Sequence, residues 1–165
     1  MRAVIVMNGS INAGKSSVGA CVAALLPRAA FLEGDDHDAP DDAPLTQRIE
    51  AAWRRIEAQV AADEADYLVV AYPVDELRYE ALSRACARKG ATLFLVTLAP
   101  PLEIALSDRG ARRLSAQERK RIQEMYVEGY PVRAFSDLVI DNSRISIEKA
   151  AELVARRVLE TVATG

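Results

Sequence analysis

The sequence predicts a three-layer α/β fold: a doubly wound, five-stranded parallel sheet with helices on both faces, in a single domain over residues 1–165. Three observations predict it. Five short apolar runs recur along the chain, amphipathic stretches of helical length separate them, and a glycine-rich turn joins the first run to the first such stretch. Continuous apolar runs read as strands buried on both faces, as in parallel sheets. Their strict alternation with helices implies right-handed crossovers that set helices on both sides. With 165 residues, 50% of them apolar, the chain can bury a core of its own.

The elements follow in order. "AVIVM" (3–7) is the first strand, and residues 15–26 carry apolar positions at helical spacing. "AAFLE" (29–33) is the second strand, expected beside the first, and the polar insertion "GDDHDAPDDAP" (34–44) leads into a helix over 45–64. "YLVVA" (67–71) and "TLFLVTL" (92–98) are the third and fourth strands, with a helix over 75–89 that Asp75 can start as its cap. Helices over 101–109 and 115–129 flank a second insertion, "SDRGARRLSAQERKR" (107–121). "DLVI" (137–140) is the last strand, and a helix over 146–162 closes the chain, its start capped by Ser146 and Glu148.

Composition narrows the function classes. A formal net charge of −3 sets up no global field that would hold the chain on nucleic acid or an anionic membrane. Cys21 and Cys86 fall inside apolar helical patterns without metal-ligand or redox spacing, so they read as buried, reduced thiols. The apolar run at the N-terminus is too short for a signal peptide, and no 18 apolar residues follow one another. A cytoplasmic protein without a membrane span, monomeric or homodimeric, is therefore expected, and its function must come from a local site.

The strongest local signal is "NGSINAGKSS" (8–17), which matches GxxxxGK(S/T) between a strand and a helix. Glycines there let backbone amides turn inward around phosphate oxygens, Lys15 places a charge on the β and γ phosphates, and Ser16 can ligate magnesium. Gly9, Ser10, Ile11, Asn12, Ala13, Gly14, Lys15, Ser16 and Ser17 are thus the expected ATP-binding residues. A second constellation lies beyond the second strand, where "FLEGDDHD" sets Glu33, Asp35, Asp36, His37 and Asp38 at the carboxyl edge of the sheet. Ligands of open α/β sheets bind off that edge. A carboxylate there can hold magnesium or accept a proton from an attacking hydroxyl. Asp38, Asp41 and Asp42 read as a solvated turn, while His37 stands open between substrate contact and surface loop. Arg109, Arg112 and Arg113 around Gly110 suit a lid that spreads charge on a transferring phosphoryl group. Tyr72 and Trp53 stand open between lining an acceptor pocket and plain packing. The third strand ends in "YLVVAYPVDE" with no aspartate directly after it, so no second magnesium carboxylate can be assigned.

Together these stretches resemble the small P-loop kinases of metabolites, the gluconate and shikimate kinases. "FLEGDDHD" is similar to the gluconate kinase stretch FLDGDxxHP, "PLTQRIEAAW" (44–53) is similar to that family's PLTDxDRxPW, and "NGSINAGKSS" looks closest to the P-loop of chloramphenicol phosphotransferases. The resemblance implies the P-loop, nucleoside monophosphate kinase-like form of the fold, with residues 34–64 as acceptor-binding segment and residues 108–122 as lid. It gives Glu33 a magnesium-associated role. Asp35 becomes the acceptor-binding carboxylate and candidate base, beside Asp36 and His37. Arg109 would stack on adenine, Arg112 or Arg113 would reach the phosphates, and Asn142 and Ser143 would border the base. Where the gluconate kinase stretch has proline after its histidine, this chain has Asp38.

The expected activity is transfer of the γ-phosphate of ATP, with Mg²⁺, to a hydroxyl of a small molecule such as a sugar acid, polyol or antibiotic. Five aspartates within 35–42 form a local negative field that tilts the expectation toward a neutral or cationic acceptor. Two other readings stand beside it. A nucleoside or nucleotide kinase would prefer arginines at the second strand end, and a nucleotide-binding switch would need a partner surface gated by the γ-phosphate.

Overall fold

The computed structural model describes residues 1–40 and 42–164. Asp41, read above as part of the acidic turn, lies outside the described residues. Strands β1 (Ala3–Asn8), β2 (Ala29–Glu33), β3 (Tyr67–Ala71), β4 (Thr92–Leu98) and β5 (Leu138–Ile140) form one parallel sheet in the order β2-β3-β1-β4-β5. The expected placement of the second strand beside the first is therefore wrong: β3 lies between them, pairing Tyr67 with Ala3 on one side and with Ala29 on the other. The reason is burial. Every residue of β3 is buried, whereas β2 leaves Phe31 37% exposed, so β3 needs a neighbour on each side and β2 serves as an edge.

The helices are α1 (Lys15–Leu25), α2 (Leu45–Ala62), α3 (Glu76–Lys89), α4 (Leu102–Ala105), α5 (Ala116–Val127) and α6 (Ile147–Thr164). On one face of the sheet, Val18 and Val22 of α1 and Val154 and Val158 of α6 cover Ile5, Met7, Val69 and Val96. On the other, Trp53, Ile56 and Val60 of α2 and Leu82 and Cys86 of α3 cover Val4, Val6, Leu68, Val70 and Leu95. Both cysteines are free, Cys86 buried and Cys21 half-buried, and burial pushes the Cys86 thiol up to about 11. Among the described residues, no helix is long and apolar enough to cross a membrane.

The two helices that flank the second insertion are shorter than their patterns predict, because local side chains stop them. The helix expected over 101–109 ends at Ala105, where the Ser107 hydroxyl donates to the Ile104 carbonyl at 2.7 Å and the Asp108 carboxylate accepts from the Leu114 amide at 3.0 Å. The helix expected over 115–129 starts with a Ser115–Glu118 capping box and stops at Val127, with Gly129 in the left-handed region leading into a 3₁₀ turn over Tyr130–Val132.

The carboxyl edge is fastened by Asn8, which is fully buried at the end of β1. Its amide donates to Thr97 Oγ1 at 2.9 Å and to the Tyr130 carbonyl at 3.1 Å, while its Oδ1 accepts from the Val74 amide at 2.9 Å. One side chain thus joins β1 to β4, to the segment after β3 and to the turn after α5. Asn8→Ala leaves these buried partners unpaired and is expected to lower stability by about 3 kcal/mol, read as a lower urea midpoint; an unchanged midpoint would show that water replaces all three bonds.

Candidate functional site

The site is built on the loop between β1 and α1. Gly9 adopts φ 142°, and a Cβ there would stand 2.7 Å from the Leu98 carbonyl oxygen, so only glycine lets the loop leave the sheet at this point. The Ser10 carbonyl then accepts from the Ala13 amide at 3.2 Å and from Lys15 Nζ at 2.6 Å, folding the loop back on itself. Asn142, buried after β5, donates to the Ala13 carbonyl at 2.9 Å and braces the loop from below. Helix α1 opens with no side-chain cap. Its first-turn amides and the positive end of its dipole are thus left for an anion.

Electrostatics mark the same place. Burial lowers the Lys15 ammonium to about 8, while the nearby Asp35 and Glu33 carboxylates raise it and Arg112 lowers it. The loop lysine, two strand-end carboxylates and a lid arginine therefore act on one another. Lys15, Asp35 and Arg112, though not Glu33, border a cleft of about 1070 Å³ lined by residues of the loop, the β2 and β3 ends, α2, the expected lid, α5 and the start of α6.

At the end of β2 the chain makes a close approach. The Gly34 amide donates to the Ala71 carbonyl at 3.1 Å, and a Cβ on Gly34 would lie 2.4 Å from the Tyr72 ring, so a side chain there would drive β2 and β3 apart. Beyond it the acidic residues separate. Asp35 and His37 line the cleft, whereas Asp36 turns outward to Arg55 at 3.2 Å, and the same guanidinium takes the Glu33 carbonyl at 2.6 Å. Asp38 and Asp42 are exposed and outside the lining, so Asp35 is the one carboxylate that this segment, among the described residues, brings to the cleft.

The arginines of the expected lid also divide. Arg109 and Arg112 line the cleft: Arg109 donates to the Asn12 carbonyl at 3.1 Å and Arg112 pairs with Glu118 at 2.9 Å. Arg113 is 72% exposed, bonds to the Gly110 and Arg112 carbonyls and lies outside the lining. Ser16 and Ser17 stand exposed at the start of α1 on the cleft wall. Ser143 is engaged by its amide with Asp141 at 2.9 Å and does not reach the cleft; the wall there is made by Ile145, Ser146 and Ile147. The two isoleucines are 39% and 45% exposed, apolar surface on the cleft wall that suits the face of a base.

Several cleft residues went unread in the sequence. Arg48, on the first turn of α2, faces the cleft, and its Nε is buried without a partner, as is Nδ1 of His37. The signal was an arginine set inside the otherwise apolar stripe Leu45, Ile49, Ala52, Trp53 and Ile56. Lys120, Arg121 and Tyr130 line the cleft from α5 and the turn after it, with Arg121 also held by Glu124 and Glu128 at 3.2 and 2.6 Å. Trp53 and Tyr72 pack as core, their rings meeting edge to face at 5.6 Å, and both also border the cleft. Burial pushes the Tyr72 hydroxyl up to about 12, so it stays a neutral donor beside Asp35.

No family model matches the chain, and no curated protein matches it in sequence. Solved structures do match. A gluconokinase from Sinorhizobium meliloti 1021 superposes with a TM-score of 0.76 at 20% identity, covering 99% of this chain and 98% of that one. A shikimate kinase from Acinetobacter baumannii in complex with shikimate gives 0.67 at 18% identity, over 98% and 95%. The Mycobacterium tuberculosis APS kinase in complex with AMPPNP and APS gives 0.65 at 22% identity, over 96% and 98%. The chain thus has the α/β fold of small P-loop kinases over nearly its whole length.

The Lys15 shift gives a signed expectation. A phosphate against the ammonium favours its charged form, so a nucleoside triphosphate should raise Lys15 from about 8 back toward its ordinary 10.5 and draw a proton from solvent. Calorimetry in buffers of differing ionisation enthalpy should find little uptake at pH 7, where Lys15 is already charged, and uptake approaching about one proton at pH 9. Binding without pH-dependent uptake would place the phosphates away from Lys15.

Proposed function

We propose that this chain is an ATP-dependent kinase that moves the γ-phosphoryl group to a hydroxyl of a small hydroxy acid. The observation that carries the reading is a single cleft lined by the loop between β1 and α1, by Asp35 and by Arg48, whose buried Nε has no partner. An unpaired buried guanidinium N–H costs free energy unless a ligand meets it, and a carboxylate is the group an arginine fork fits best. With Asp36 turned away and Lys120 and Arg121 among the lining, the cleft is less acidic than the run of aspartates suggests. This reading replaces a neutral or cationic acceptor with an anionic one. Gluconate and shikimate, for which two of the similar kinases are named, are both hydroxy acids.

In the reaction, the acceptor hydroxyl oxygen forms a bond to the γ-phosphorus as the bond from that phosphorus to the β–γ bridging oxygen breaks, and the leaving electron pair stays on ADP. Asp35 hydrogen-bonds the hydroxyl and takes its proton. Lys15 and the amides at the start of α1 hold the β and γ oxygens. Arg112 exchanges Glu118 for the charge that develops in transfer. Ser16 on the cleft wall would ligate a magnesium ion, with Glu33, which acts on Lys15 from outside the lining, behind it through water, since magnesium takes phosphate and water oxygens for most of its shell. When bound, that ion supplies charge neutralisation on the triphosphate.

The lining arginines also favour a second reading, a nucleotide acceptor, because Arg48, Lys120 and Arg121 suit a phosphate as well as a carboxylate. A screen for ADP release with hydroxy acids, polyols, aminoglycoside-type amines and nucleoside monophosphates separates the two. Turnover is expected with a hydroxy acid. Arg48→Ala should then raise KM for that acid by about tenfold or more with a smaller change in kcat, and Asp35→Asn should cut kcat by about 10²–10⁴. Turnover confined to nucleoside monophosphates would favour the second reading, and loss of kcat alone in Arg48→Ala would remove it as the carboxylate anchor.

A further inference from the structure

Asn12 stands at the tip of the phosphate loop with φ 62°, in the left-handed region where asparagine is among the few side chains tolerated. A loop that needed only this backbone shape would be served by glycine. Here the side chain is used. Its Nδ2 donates to the Ala105 carbonyl at 2.9 Å and to the Ser107 carbonyl at 2.8 Å, the last carbonyls of α4 and of the turn that leads into the lid. In return Arg109 Nη1, two residues further on, donates to the Asn12 carbonyl at 3.1 Å. Both amide hydrogens of Asn12 are spent on one segment, and that segment's arginine is spent on Asn12.

The rest of the lid base is equally fastened. Asp108 accepts from the Leu114 amide at 3.0 Å and from Arg119 at 2.9 Å, closing the lid loop at its neck. Arg119 also donates to the Leu106 carbonyl. Ala105, Leu114 and Ile122 form a small apolar cluster under this neck, with Ile11 of the phosphate loop packed against it. The lid therefore has its own core, and Asn12 carries both side-chain and backbone hydrogen bonds between its base and the phosphate loop.

We infer that Asn12 is a positioning residue that couples the phosphate loop to the lid, so that the loop conformation that receives the triphosphate also delivers Arg109 to the nucleotide. The inference rests on the nucleotide-binding reading above and adds a division of labour within it. The loop amides and Lys15 hold the phosphates. Asn12 touches the lid instead, and its effect on nucleotide affinity passes through Arg109.

The test is a double-mutant cycle on AMPPNP binding with Asn12→Gly, Arg109→Ala and the double variant, because glycine keeps φ 62° while removing both donors. Each single variant is expected to weaken AMPPNP by about tenfold, and the double variant by about the same factor, since the second change removes nothing that the first left working. Trypsin supplies a second readout. AMPPNP should protect the wild-type chain from cleavage after Arg109, Arg112 and Arg113 and should protect Asn12→Gly much less, even when saturating. Losses that multiply to about a hundredfold, or full protection of Asn12→Gly by saturating AMPPNP, would overturn the coupling while leaving the kinase reading in place. A wild-type chain that bound no nucleoside triphosphate would overturn both.

Discussion

The site depends on β3 lying between β1 and β2. Adjacent strands stand about 4.8 Å apart, so the phosphate loop at the end of β1 and Asp35 beyond β2 are separated by about 10 Å of sheet. In the proposed reaction, that span is the room between the triphosphate and the acceptor hydroxyl. Tyr72, at the end of the intervening strand, floors the gap with a neutral ring in place of a third carboxylate. Gly34 is what lets β2 close against that ring. The same edge is held by Asn8, whose three bonds fix the ends of β1 and β4, the segment after β3 and the turn after α5 as one frame.

Charge is arranged on this frame with few groups left idle. Lys15 is lowered by burial yet held toward its charged form by Asp35 and Glu33, which readies it for an anion. Arg112 rests on Glu118 and Asp36 on Arg55, both in exposed pairs of the kind that contribute little to stability and exchange readily. Arg48 and His37 are different. Both line the cleft and hold buried polar atoms without partners, and native proteins seldom leave such atoms unmet away from a binding site.

Much of this was legible in the sequence. Each of the five strands lay within its apolar run or one residue beyond it, because parallel strands buried on both faces leave an unbroken hydrophobic signature. The phosphate-loop motif fell between the strand and helix where its physics requires them. Strand order was not legible, since a local pattern says that β2 is a strand but not which neighbour it takes; the sequence clue was the less apolar "AAFLE", two alanines and a glutamate, beside "YLVVA". The acidic run misled for a related reason. Composition counts charges, whereas the turn after Gly34 decides which of them face the cleft, and it sends Asp36 outward. Arg48 was hidden because an amphipathic stripe reads as core, and its single charged member was passed over. Ile145 and Ile147 were passed over because exposed isoleucines have no motif.

Phosphorus NMR of ATP, Mg²⁺ and the protein, with and without a panel of hydroxy acids, bears most directly on whether one cleft carries a phosphoryl group from the triphosphate to an acceptor hydroxyl. With the matching acid, a phosphomonoester resonance should grow in step with ADP while inorganic phosphate stays near its acceptor-free rate. ATP consumed only to inorganic phosphate with every acceptor offered, or ATP left intact throughout, would contradict phosphoryl transfer to a hydroxyl as the function of this cleft.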